Sequence, residues 1–207
     1  NTLVVSVIHG NNEIGSIQDM ESIGEICRDS GVLFHTDACQ SFTKTEIDVI
    51  KQKIDFVTLN SHKIHGPKGV GALYIREKIK NKLEPFFHGG GHENGMRSGT
   101  ENIHGIVGFG EAVKIANKLR YAKKMKKLRD KFIKRLVKIE NIELNGPKEN
   151  RLCNNINIRF NNIEGEAIEG YLEAKGIYVS TGSACSSHTL EPSHVLRAIG
   201  LNPVQAN

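Results

Sequence analysis

The stretch at 55–75, DFVTLNSHKIHGPKGVGALYI, decides how the chain is read. Two apolar runs of strand length, IDFVTLN (54–60) and GVGALYI (69–75), flank a polar turn. The turn places Lys63 at the end of the first run, with His62 and His65 on either side and Gly66-Pro67-Lys68-Gly69 behind it. A solvent-facing lysine needs no such setting; a lysine with a chemical task does.

Working upstream, TLVVSVI (2–8) is a continuous β-branched run, as expected of a strand buried on both faces. DMESIGEICRDSG follows, with Ile23, Ile26 and Cys27 on one helical face, Asp19 placed as N-cap and Gly31 as terminator. VLFHTDA (32–38) is the next strand. Alternating strands and helices at this spacing predict right-handed crossovers and an α/β fold with a mostly parallel sheet and flanking helices. Downstream, HGGGHENGMRSGTEN (88–102) is a glycine-rich loop, and a helical pattern starts near Glu101 and runs, with a break, to Ile139. Strands at 142–144 and 154–160, a helix at 165–176, a strand at 177–180 and a short helix after Pro192 make a second, α+β unit. The expected division is residues 1–120 and 121–207.

Of the 207 residues, 38% are hydrophobic and 25% charged, an ordinary globular composition. No apolar run reaches the roughly 20 residues of a membrane span, so no membrane partner is expected. Asn1 opens directly on a core strand with no basic leader. A chain beginning inside a strand reads as a fragment. The four cysteines, Cys27, Cys39, Cys153 and Cys185, form no CxxC pair, which argues against zinc-ribbon and thioredoxin folds and for a reducing, cytoplasmic setting. The net charge of +5 is concentrated at 118–138, KLRYAKKMKKLRDKFIKRLVK. That stretch reads as the solvated face of an amphipathic helix, and nucleic acid is not expected as a partner. The alternative reading is a non-catalytic module that binds nucleic acid or an acidic partner.

Ligands of open parallel sheets bind at the carboxyl ends of the strands. Three strands here end in polar residues, HGNNEIG, HTDACQS and NSHK, which would gather His9, Asn12, Asp37, Gln40, His62 and Lys63 along one edge. Lys63 at a buried edge would lose part of its preference for the ammonium form, by up to ~3–5 pKa units, and a neutral amine attacks aldehydes to form Schiff bases. Asp37 after an apolar strand needs a partner; a protonated pyridine nitrogen is one, a helix N-cap or salt bridge another. In RSGTEN (97–102), Ser98, Gly99 and Thr100 precede a helix and suit a phosphate, or Thr100 simply caps that helix. Cys185 lies in STGSACSSHTLEPSH, among small polar residues on an exposed loop where a thiol is partly thiolate. Cys27 and Cys39 are expected in the core. Six histidines in the first half show no recognised metal-ligand spacing.

Together these motifs resemble the NifS/IscS-type cysteine desulfurases, pyridoxal phosphate (PLP) enzymes of fold type I. The resemblance rests on NNEIG (11–15), DACQS (37–41), SHKIHGPKGVGALY (61–74), HGGGHENGMRSGT (88–100), GSACSS (182–187) and LEPSHVLRAIGL (190–201), in the family's order and spacing. It implies that Lys63 holds PLP, that Asp37 pairs with the pyridine nitrogen, and that Asn12 and Gln40 bond the phenolic oxygen. It implies that His62 helps hold the phosphate and that Thr100 reaches the phosphate bound by the other subunit of a homodimer. Where the family usually has serine two positions before the histidine, this chain has Asn60, with Ser61 between; either can donate to phosphate. Cys185 would take sulfur from L-cysteine, giving alanine and a persulfide for an iron–sulfur scaffold protein or a tRNA-thiolation relay. No resident metal is implied, Cys185 being at most a transient ligand of an iron–sulfur cluster. Another fold-type-I enzyme, such as a selenocysteine lyase, is the competing enzyme reading. The family's upstream phosphate loop and ring-stacking histidine, and its downstream carboxylate-binding arginine, have no counterpart here. The chain by itself is therefore expected to bind PLP weakly and turn over poorly or not at all.

Overall fold

The computed structural model describes residues 1–116, 120–181 and 192–206. Two units emerge. The first comprises Asn1–His9 and Gln18–Tyr121, the second Gly10–Ile17 and Ala122–Asn207. The loop at 10–17 thus belongs with the second unit, although the sequence places it after the first strand.

The first unit is built on a four-stranded sheet in the order β1 (Val4–Ile8), β2 (Leu33–Asp37), β3 (Phe56–Asn60), β4 (Gly71–Ile75). β1, β2 and β3 run parallel, in register Ile8↔Asp37 and Asp37↔Thr58. β4 returns antiparallel, pairing Asn60↔Gly71 and Phe56↔Ile75. The alternation along β2 divides its side chains. Phe34 and Thr36 are fully enclosed, whereas Leu33, His35 and Asp37 face the other, half-open side. Phe34, Ala38, Ile54 and Val57 pack against Met20 and Cys27 of helix α1 (Met20–Asp29). Each enclosed large side chain contributes about 1.5–3 kcal/mol. Asp19 caps α1, accepting from the Ser22 backbone at 3.1 Å and its hydroxyl at 2.7 Å. Gly24 lets α1 approach the turn after Asp48, because a Cβ there would lie 2.0 Å from the Gln52 carbonyl.

At the amino-terminal end of the sheet a carboxylate is buried. Asp55 is 2% exposed and accepts from the Phe34 N–H at 2.9 Å. It pairs with Arg76, which follows β4, and with Arg28 of α1 at 3.7 Å. Its backbone is also engaged, donating to Phe34 O and accepting from Arg76 N, each at 2.8 Å.

Helix α2 (Glu77–Lys80) follows β4. Along the expected helical stretch, helices α3 (Ile103–Ala116) and α4 (Arg120–Leu136) are described. Asn102 caps α3 through Gly105 N at 3.1 Å, so Thr100 is not its N-cap. Phe109 and Ala112 of α3 close a second core with Ile64, Phe42 and Leu59.

In the second unit β5 (Ile142–Leu144) and β6 (Ile158–Phe160) form an antiparallel pair, and α5 (Gly165–Glu173) and α6 (His194–Ala198) follow. The expected strand at 177–180 does not form. Ile177, Tyr178 and Val179 are all exposed and have no ladder partner among the described residues. Two buried arginines organise this unit. Arg129 donates to the carbonyls of Arg151 and Leu152 at 2.6 and 2.8 Å, and Arg151 to Pro147 O at 2.7 Å and to Asn145 O. The loop at 10–17 docks here through Leu152 N to Gly15 O and Ile17 N to Asn150 O, both 2.7 Å. Ile14 packs on Leu196 and Ala206. No helix among the described residues is long and apolar enough to cross a membrane.

Asp55→Ala should destabilise the first unit by about 3 kcal/mol, since it leaves Arg76 and a buried N–H without their partner. Urea denaturation measures this; a loss below about 1 kcal/mol would show that the carboxylate is incidental.

Candidate active site

β2 and β3 end side by side, and their continuations carry the predicted residues. β2 delivers Asp37, then Cys39 and Gln40; β3 delivers Asn60, then a single 3-10 turn, His62–Ile64. A 3-10 turn repeats every three residues, and this one sets Ser61 and Ile64 inward, both buried, and His62 and Lys63 outward. Lys63 is therefore exposed, not buried at an edge as the sequence suggested. Asn60 braces the turn by accepting from the Lys63 N–H at 3.4 Å. His65 ends it in the left-handed region, at φ 66°, and Gly66 follows so closely that a Cβ would sit 2.1 Å from Ser61 Oγ. Ser61 is fully enclosed, and its hydroxyl has no hydrogen-bond partner among the described residues.

Asp37 is half-buried and accepts from the Cys39 N–H at 2.8 Å. Gln40 and Lys63 are drawn to a common neighbour: the Lys44 ammonium donates to the Gln40 carbonyl at 2.8 Å and to the Lys63 carbonyl at 3.4 Å. Cys39 senses both charged groups. Burial and the adjoining Asp37 carboxylate push its thiol up to about 12, against the opposing pull of Lys63. Contrary to expectation it is half-buried rather than a core residue, because it follows the last strand residue at the sheet's edge. Cys27 and Cys153 are buried.

His9 leaves the predicted ligand edge. It is almost fully enclosed and bonds Ser41 Oγ through Nδ1 at 2.9 Å, tying the end of β1 to the loop after β2. On the open face two residues before Asp37, His35 bridges three strands, bonding Ser6 Oγ at 2.6 Å and Thr58 Oγ1 at 2.8 Å. Sequence reasoning missed Lys44 and the His35 bridge. Lys44 sits four residues after Gln40, a one-turn spacing inside a loop, and Ser6, His35 and Thr58 become neighbours only through strand register. Thr100 is exposed ahead of α3, and Asn12 is exposed in the second unit. Cys185 lies outside the described residues.

The donor set at this edge suits PLP. A pyridine nitrogen calls for a carboxylate, a phenolic oxygen for an amide, an aldehyde for an amine, and a phosphate for imidazole and hydroxyl donors. Asp37, Gln40 and Lys63 supply the first three and His62 the imidazole, from two adjacent strand ends of one unit.

Residues 1–202 match the aminotransferase class-V family. The cysteine desulfurase IscS of Histophilus somni is 52% identical over 204 residues, covering 97% of this chain and 50% of the relative. That of Pseudomonas entomophila is 50% identical over 203 residues, covering 97% of this chain and 50% of its own length. Among solved structures, a NifS-like protein superposes with TM-score 0.86 at 38% identity, covering 99% of this chain and 53% of the other. A NifS-like protein from Rickettsia africae gives TM-score 0.87 at 33% identity, with 99% and 54% covered. The chain thus spans about half the length of the relatives it matches.

Two measurements probe the site. Burial holds His9 below its ordinary value, so as pH falls through about 6.5 the unfolded chain takes up this proton first and stability declines. His9→Asn should remove that acid-side decline; an unchanged pH profile would mean that the enclosure of His9 carries no linkage. Iodoacetamide at pH 8 should label Cys39 at least ~100-fold more slowly in the folded protein than in urea, because so little thiolate is present. Equal rates by peptide mapping would contradict the raised value.

The family match and the relatives agree: the chain belongs to the class-V aminotransferase family, whose members depend on PLP.

Proposed function

We propose that this chain supplies the lysine, the carboxylate and the thiol of a cytoplasmic, homodimeric, PLP-dependent cysteine desulfurase. It acts on L-cysteine and yields alanine and a persulfide destined for an iron–sulfur scaffold protein or another sulfur acceptor. The observation that carries the reading is the common exit of Asp37 and Lys63 from adjacent strand ends within one unit, with Cys39 close enough to sense both. The names of the similar proteins, cysteine desulfurase and NifS-like protein, support it.

In this reading Lys63 anchors the cofactor covalently, Asp37 keeps the ring nitrogen protonated, Asn12 and Gln40 bond the phenolic oxygen, and His62 and Asn60 serve the phosphate. Thr100 serves the phosphate of the second subunit. Ser61, enclosed and turned away from His62 and Lys63, supports the turn instead of touching the phosphate. When bound, PLP withdraws electrons from the substrate's α-carbon and so makes its sulfur susceptible to attack. In this reading Lys63 also gives and takes the substrate's proton, and its exposure supports that role. The Cys185 thiolate attacks the substrate sulfur. The carbon–sulfur bond breaks, its electron pair stays with carbon, which gains a proton to become alanine, and the sulfur remains on Cys185 as a persulfide.

In the full-length protein, Lys63→Ala should abolish the cofactor's visible absorption, and Cys185→Ser should keep that absorption while lowering sulfide release from L-cysteine at least ~100-fold. Persisting colour in the first variant would remove Lys63 as anchor; undiminished sulfide release in the second would remove Cys185 as nucleophile.

A further inference from the structure

Lys44 is a cation to which the desulfurase reading gives no task. Its ammonium donates to the backbone carbonyl of Gln40 at 2.8 Å and to that of Lys63 at 3.4 Å. These two residues belong to different segments, Gln40 to the loop after β2 and Lys63 to the 3-10 turn after β3. Both are residues that the proposed function assigns to one ligand, Gln40 to its phenolic oxygen and Lys63 to its aldehyde.

The loop after β2 is wound so that Lys44 comes back to Gln40. Thr43 adopts a left-handed backbone, at φ 64°, uncommon for a β-branched residue. The amides of Lys44 and Thr45 both donate to the Ser41 carbonyl, at 2.9 and 3.0 Å. Ser41 is itself fully enclosed and bonded to His9 at 2.9 Å. Lys44 is half-buried as a result. A lysine kept for solubility extends into water; holding this one against the backbone costs rotamer freedom, which its charge-assisted bonds offset.

Two kinds of contact join the two segments. One is apolar: Phe42 meets Phe109 edge-on, with ring centroids 6.4 Å apart, in the cluster that also holds Ile64 of the turn. Apolar contact is non-directional, so it draws the segments together without fixing how they face each other. The other is the Lys44 bridge, whose hydrogen bonds are directional. In a site that must present an amine, an amide and a carboxylate to one ring, the second kind decides the geometry. A displacement of about 1 Å between such groups costs on the order of 100-fold in rate.

We propose that Lys44 is a positioning residue of the cofactor site. It clamps the segment that carries Asp37 and Gln40 to the turn that carries Lys63, and so fixes the separation between the amine and the groups that bind the ring. It acts through the two carbonyls. The proposal rests on the PLP-dependent reading given above and adds to it the element that holds the two halves of the site in register.

The test uses the full-length protein and PLP. Lys44→Met keeps an unbranched side chain and removes the charge and the donors; Lys44→Arg keeps both. Lys44→Met should weaken PLP binding at least ~10-fold and shift the absorption and circular dichroism bands of the bound cofactor, and Lys44→Arg should restore most of both. Before PLP is added, the amides of Ile64 and Gly66, which donate to Ser61 O at 3.0 and 3.1 Å, should exchange with solvent at least ~10-fold faster in Lys44→Met, while the β3 amides keep their rates. Where Lys44→Met fails to fold, Lys44→Gln takes its place with the same expectations. Unchanged affinity and bands in the charge-free variant would overturn the clamp. Equal acceleration of the β3 amides, the mark of a general loss of stability, would overturn it too, as would a Lys44→Arg variant as impaired as Lys44→Met. Lys63→Ala separates this proposal from the reading beneath it. If its visible absorption persists, Lys63 is not the anchor and both fall; if that absorption is lost while Lys44→Met binds PLP normally, the clamp alone falls.

Discussion

The buried carboxylate of Asp55 is the constraint on which the rest of the first unit depends. It stands at the start of β3 and reaches the β2 backbone, the residue after β4 and the end of α1 at once. A parallel sheet has no tight turns to set its register, since its strands are joined by long crossovers. One enclosed charge that must find donors from three neighbours does this job, because a slip of one residue would strand it unpaired in the core. The register fixed at this end determines what appears at the other. With Asp37 opposite Thr58, the residues following β2 and β3 emerge together.

At that far edge the polar residues are sorted by local geometry rather than by their chemistry. The three-residue repeat of the turn after β3 sends Ser61 and Ile64 in and His62 and Lys63 out. Ile64 then anchors the turn to Phe109 and Ala112 of α3. Lys63 is thus mounted on a packed element whose position is set by core contacts. The Gly66 contact shows how tightly the turn is drawn: there is no room for a methyl group beside Ser61.

The strands of the first unit could be read from their β-branched runs, and the common carboxyl edge followed from the parallel topology. The second unit was less legible. Its strands are short, and the apolar run at 177–180 has the composition of a strand without a partner to make it one. Its integrity rests on Arg129 and Arg151, whose burial against loop carbonyls has no periodic signature in sequence. Within the site, residue types and order came from motifs, but direction did not. The outward turn of Lys63, the retreat of His9 to Ser41 and the Lys44 bridge are products of register and packing. So is the open face carrying His35, which forms contacts only when three strands align.

The fate of the cysteines shows how one fold separates reactive from inert thiols. Cys27 and Cys153 are buried, and burial raises Cys27 above its ordinary value. Cys39 lies two residues after the carboxylate that the cofactor's ring would need. Burial first, and then the Asp37 carboxylate, hold the Cys39 thiol protonated, driving it up to about 12. A thiol held protonated in this way is a poor nucleophile, whereas the small, polar sequence around Cys185 suits the role proposed for it. Under the proposed function, the sulfur-accepting thiol and the electron-sink carboxylate are therefore best supplied by separate segments of the chain.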